Sequence, residues 1–178
     1  MSLLVVGSVA FDAVETPFGK REKMLGGSAS HFSISASFFT DVSIVAVVGG
    51  DFGAAEREVF AQHNIDTTDL EVVSDGKTFR WFGRYEYDLN VAHTLDTHLN
   101  VFAGFQPKLS EASKASRLVF LGNIQPDLQR GVREQVPDAE LVALDTMNLW
   151  IDTTRESLQK TIEVVDLLIV NEIGRAHV

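Results

Sequence analysis

Residues 42–53 read VSIVAVVGGDFG, an apolar run broken only by Ser43 that passes without alternation into a glycine pair, an acid and a third glycine. A strand with one wet face alternates apolar and polar residues, whereas one covered on both faces reads as a continuous apolar run. Four more short runs share this character: Leu3–Val6, Leu118–Leu121, Leu141–Leu144 and Leu167–Val170, each followed by Gly, Asp or Asn. Helical patterns lie between them at Ser28–Phe39, Gly53–His63, Gln125–Gln135 and Thr154–Val164. The last sets Leu158, Ile162 and Val165 along one face and Arg155, Glu156 and Lys160 along the other. Alternating strands and helices predict an α/β domain, a parallel sheet whose crossovers place helices on its faces.

Two stretches break the alternation. Residues 14–25 and 78–100 are rich in β-formers, and the second alternates in places, Phe79 and Trp81 against Arg80 and Phe82, Tyr85 and Tyr87 against Arg84 and Glu86. They are expected to form antiparallel hairpins standing off the main sheet. Trp81 is expected to pack inside that β subdomain, and an exposed aromatic patch there would suit a lid or a dimer surface.

The chain has 178 residues, enough to bury roughly 70% of its unfolded surface. Hydrophobic residues make up 45% and charged residues 22%, which excludes disorder. With 15 Lys and Arg against 25 Asp and Glu, the net charge of −10 leaves no basic stripe for a phosphate backbone, so no nucleic acid partner is expected. The absence of Cys excludes disulfides and thiolate chemistry. The N-terminal apolar run stops at Gly7 and Ser8, far short of a membrane span, and no membrane partner is expected.

Ligands in open parallel sheets collect beyond the carboxyl ends of the strands. Asp12, in the GSVAFD segment after the first run, is there either to anchor a polyol or to make a turn or N-cap. Gly26 and Gly27 either permit close approach of backbone amides to a polar ligand at the start of a helix or make an ordinary glycine turn with Ser28 or Ser30 capping that helix. His31, one turn in, either points at that ligand or is a satisfied imidazole. Asp51 is expected to N-cap the helix after VGGDFG. Gly122-Asn123, Asp145-Thr146-Met147-Asn148 and Asn171-Glu172 each follow an apolar run, so a parallel sheet turns all three toward one crevice. The chain has no GxSxG, no GxxxxGK[ST], no GxGxxG after a strand and no metal-ligand spacing among its His residues.

In order, GSVAFD, a β insert, LGGSASHFS, AVVGGDFG, a second β insert and LDTMN resemble the ribokinase-like (PfkB) carbohydrate kinases over nearly the whole chain. The resemblance implies a three-layer α/β/α fold with a small β lid, here with its C-terminal part missing. It implies ATP-dependent phosphorylation of a hydroxyl on a sugar or nucleoside-like substrate, with Mg²⁺, in a cytoplasmic protein that forms a homodimer through the lid. Asp12 would bind substrate hydroxyls, Gly26 and Gly27 would lie against the substrate, and His31 stands where the family commonly has Asn, so ribokinase's own preference does not transfer. Asn123 falls near a substrate-contacting position, and Asp145 and Asn148 match the family's strand end beside the phosphates.

Asn171 opens the family's Asn-x-x-Glu element, but Gly174 holds the Glu position. The Gly-Ala-Gly-Asp element that carries the general base is not in the chain, so no catalytic residue is assigned and the base is expected beyond the C-terminus. Residues 173–178 can be encoded by the opening of a common sequencing adapter and are expected to be non-native, leaving 1–172 as a partial kinase domain. A non-catalytic binding or regulatory module of the same fold is the competing reading.

Overall fold

The computed structural model describes residues 2–87, 89 and 91–170. In chain order the elements are β1 (Ser2–Val6), β2 (Ala10–Thr16), β3 (Gly19–Gly26), α1 (Ser28–Ala36), β4 (Asp41–Gly49), α2 (Ala54–Gln62), β5 (Leu70–Val73), β6 (Phe79–Tyr85), β7 (Ala92–His98), α3 (Glu111–Lys114), β8 (Leu118–Leu121), α4 (Pro126–Gln135), β9 (Leu141–Asp145), α5 (Asn148–Thr153), α6 (Arg155–Ile162) and β10 (Leu167–Ile169). A 3₁₀ turn spans Asn100–Gly104.

Six strands form the main sheet in the order β10-β9-β8-β1-β4-β5, every neighbouring pair parallel. The unalternating runs are its central strands: Leu4, Val5 and Val6 of β1 are all fully buried. Successive residues serve two cores. Leu4, Val6, Val45 and Val47 pack with Val132 of α4 and Leu158 of α6, while Val5, Ile44, Ala46 and Val48 pack with Ala29 of α1 and Phe60 of α2. Helices thus cover both faces, and the fold is a three-layer α/β/α sandwich.

The second sheet has the order β3-β2-β6-β7. Two antiparallel hairpins, β2–β3 and β6–β7, are joined by a parallel pairing of β2 with β6. Their strands reach back to Ala10 and Gly26, so the expected insert at 14–25 is the outer part of a longer hairpin. Trp81 packs within this sheet as expected: its Nε1 donates to Thr94 Oγ1, and its ring occupies the space a side chain on Gly83 would need.

Two expectations are corrected, and one alternative falls. The first helix ends at Ala36, and Phe38 and Phe39 lie exposed in the turn to β4. Asp51 is not an N-cap: Gly53 holds that position, with the Glu56 carboxylate accepting its N–H, and Asp51 Oδ1 instead accepts from the backbone N–H and hydroxyl of Thr78. Neither Ser28 nor Ser30 caps α1, whose cap position is Gly27 with no side-chain bond; Ser28 turns to Ser8 instead. The short edge strand β5, with only Leu70 buried, escapes the reading because Glu71 breaks its apolar run.

Candidate functional site

From β1 the chain adds β4 and β5 on one side and β8, β9 and β10 on the other. The strand order therefore reverses between β1 and β8, and in an open parallel sheet such a switch point leaves a crevice beyond the carboxyl ends of the strands. Gly7 and Ser8 leave β1 at that point, and Gly122 and Asn123 leave β8.

The start of α1 sits over the gap. Ser28 N–H donates to Ser8 Oγ at 3.0 Å and the two hydroxyls are 3.2 Å apart, while Ala29 N–H bonds Ser8 O at 3.0 Å. A methyl group on Gly7 or Gly122 would stand within 3 Å of Ser28 Oγ. Gly27 enters the helix at φ 93°, a conformation that side chains resist, and a Cβ there would meet Ser8 O at 2.3 Å.

Asp12 lies on β2, in register with Met24 and Trp81, and is neither a turn residue nor a cap. Its carboxylate occupies the place a side chain on Gly26 would take, with Oδ2 2.0 Å from that Cβ position. Burial pushes its pKa up, while the nearby His31 and the Gly27 N–H, which the carboxylate accepts, pull it down. His31 is exposed on the first turn of α1. Asp12, Gly26, Gly27 and His31 thus form one group: a half-buried carboxylate beside two bare backbone units and an imidazole.

A second group stands at the ends of β8 and β9. The N–H groups of Asn123 and Thr146 pull the Asp145 pKa down, but burial outweighs both and pushes it up to about 6. Asn123 Oδ1 accepts from Trp150 Nε1 at 2.8 Å. Asn148 is exposed at the start of α5. Asn171 lies outside the described residues, as does the tail at 173–178.

Sequence reasoning passed over Ser8, Trp150 and Gln129. Ser8 had a signal, since it adjoins the glycine that ends β1; the other two are brought in by helix packing. Among the described residues no group of three His, Cys, Asp or Glu is placed to hold a metal ion. No helix among them is long and apolar enough to cross a membrane.

No protein-family model matches the chain, and no curated protein matches it in sequence. Solved structures do match. A nucleoside kinase from Methanocaldococcus jannaschii, described as an archaeal member of the ribokinase family, superposes with a TM-score of 0.75 over 98% of this chain at 17% identity. The fold is ribokinase-like. A Burkholderia thailandensis nucleoside kinase in complex with inosine matches over 97% of the chain with a TM-score of 0.72 and 13% identity. Fructokinase with bound ATP from Xylella fastidiosa matches over 94%, also at 0.72, with 15% identity. The chain spans 62%, 61% and 60% of these three structures respectively. The ribokinase-like fold accounts for the two-hairpin second sheet beside the parallel one, since the superposition takes in nearly all of both.

Proposed function

We propose that the intact protein is a PfkB-type carbohydrate kinase that transfers a phosphoryl group from ATP to a hydroxyl of a sugar or nucleoside-like acceptor, and that residues 2–170 build the acceptor side of its site. The observation that carries this reading is Asp12, a half-buried carboxylate held against Gly26 and Gly27 at the switch point of a ribokinase-like sheet. An ionised carboxylate is an acceptor only, suited to two hydroxyls of a polyol. The neighbouring glycines leave room for a ring to lie on the backbone, and His31 offers a nitrogen that donates or accepts. The second sheet, carrying Asp12 on one strand, serves as the lid that excludes water from the transfer.

Bound ATP and Mg²⁺ would supply the phosphoryl group and neutralise its charge. Among the described residues that side offers the Asp145 carboxylate and no metal cage. Asp145, Asn148 and Asn171 are proposed to border the phosphates, and Asn123 to contact the acceptor. A general base is proposed to come from chain beyond these residues. The lid tips carry an edge-to-face pair, Phe18 with Tyr87, that is largely exposed, and a homodimer through the lid would cover it.

Two experiments test the reading. Titration calorimetry of the chain with ribose, fructose, inosine and adenosine should show one class bound, and Asp12→Ala should weaken that binding on the order of 10- to 100-fold. Binding of none, or equal binding by the variant, removes Asp12 from the site. Sequencing the source DNA through the codon for Glu172 should show the frame continuing into Asn-x-x-Glu and Gly-Ala-Gly-Asp elements; a stop there leaves a binding module without a base.

A further inference from the structure

Gln129 of α4 is fully buried. Its Nε2 lies 2.8 Å from Gly122 O, 2.9 Å from Asp145 O and 3.3 Å from Leu121 O, so the two shortest contacts reach one strand end each, β8 and β9. The ladder between those strands runs from Leu118 with Leu141 to Leu121 with Leu144. Gly122 and Asp145 are the first residues past it, where no rung joins the two strands.

The same two peptide units are held from their other side. The peptide whose oxygen is Gly122 O carries the Asn123 N–H, and the one whose oxygen is Asp145 O carries the Thr146 N–H. Both N–H groups lower the pKa of the Asp145 carboxyl. Each peptide thus has its oxygen on the Gln129 amide, while its N–H acts on the charge of the Asp145 carboxylate. Gln129 Oε1, in contrast, has no partner among the described residues. An unmet buried acceptor is unfavourable, so packing alone would suit an apolar side chain of this shape better. What distinguishes Gln129 from Met is its pair of N–H groups, and both serve the strand ends.

We propose that Gln129 is the positioning residue of the crevice: it cross-links β8 and β9 beyond their ladder and so fixes Asn123 and Asp145 as a unit, without touching ligand itself. Its functional weight rests on the reading of Asn123 and Asp145 as part of the acceptor and phosphate site, but the cross-link is testable apart from it.

The chain has two Trp, and each indole N–H reports a different sheet: Trp150 donates to Asn123 Oδ1, and Trp81 to Thr94 in the lid. In ¹H–¹⁵N spectra of Gln129→Met, which keeps the shape and removes the donors, the Trp150 indole signal should shift and exchange with solvent about tenfold faster, while Trp81 stays in place. A folded variant with an unmoved Trp150 signal overturns the proposal, as does a change that moves both indoles alike. Should that variant fail to fold, the unaltered chain decides: the Gln129 side-chain amide should exchange on the order of 100-fold slower than that of exposed Gln62, and equal rates overturn the cross-link. A chain that binds none of the sugars or nucleosides above yet shows the Trp150 shift keeps the cross-link and loses the kinase reading.

Discussion

Asp145 is a carboxyl placed where its charge is resisted. With a folded pKa near 6 and an ordinary value of 3.8, both states hold the proton below 3.8. Between the two values the folded state holds a proton that the unfolded state has released, so stability falls as pH rises through that window and levels off above it. Asp145→Asn should therefore stabilise the chain by about 1–2 kcal/mol at pH 7.5, the shift being discounted for solvent that reaches the partly exposed carboxyl, and by no more than about 0.5 kcal/mol near pH 4, read from urea midpoints at both pH values. Asp12→Ala should weaken acceptor binding on the order of 10- to 100-fold, the worth of charge-assisted hydrogen bonds, with the melting curve little changed. Gly27→Ala adds a side chain at φ 93° against Ser8 O and should lower stability by about 2–4 kcal/mol in the same urea assay. At this scale the sequence singled out Asp12, Asn123 and Asp145 from their places after apolar runs, and Gly26, Gly27 and His31 from the glycine pair that opens a helix. It misassigned Asp51, because a short polar side chain near a helix start reads as a cap whether it bonds the helix or a distant loop.

The strands made of unbroken apolar runs were legible, since β1, β4, β8, β9 and β10 are marked by the absence of alternation and their crossovers by helical spacing. The lid hairpins were legible from their alternation, but their pairing through β2 and β6 was not, because parallel register depends on where the body holds each root. Thr78 is that root for the second hairpin: fully buried, it donates twice to Asp51 Oδ1 at 2.7 Å, accepts from Gly49 N–H at 3.0 Å, and its carbonyl accepts from Asn100 Nδ2. Asp51→Ala leaves those donors without their charged partner and should cost about 2–3 kcal/mol. Limited proteolysis should then cut within residues 79–98 faster than in the unaltered chain; unchanged cleavage would mean that the lid is held elsewhere.

Across the whole molecule, the main sheet is covered unevenly. Its centre is sealed on both faces, but on β10 Leu167 and Ile169 are exposed, with Val164 before them and Leu141 on β9. An apolar strand edge of this kind templates association. The 178-residue chain should self-associate in light scattering at micromolar concentration, whereas a monodisperse monomer would favour the stand-alone binding module. The sequence by itself determined the α/β class, the two inserts and the strand-end candidates, since burial on two faces, burial on one face and turn chemistry each leave a local pattern of residue types. Only the tertiary structure decided that Asp12 sits on a lid strand against Gly26, that Asp51 anchors Thr78, and that Gln129 joins β8 to β9. Those contacts span sequence separations at which no residue pattern records the partner, and the distances between such groups are set by how the layers pack.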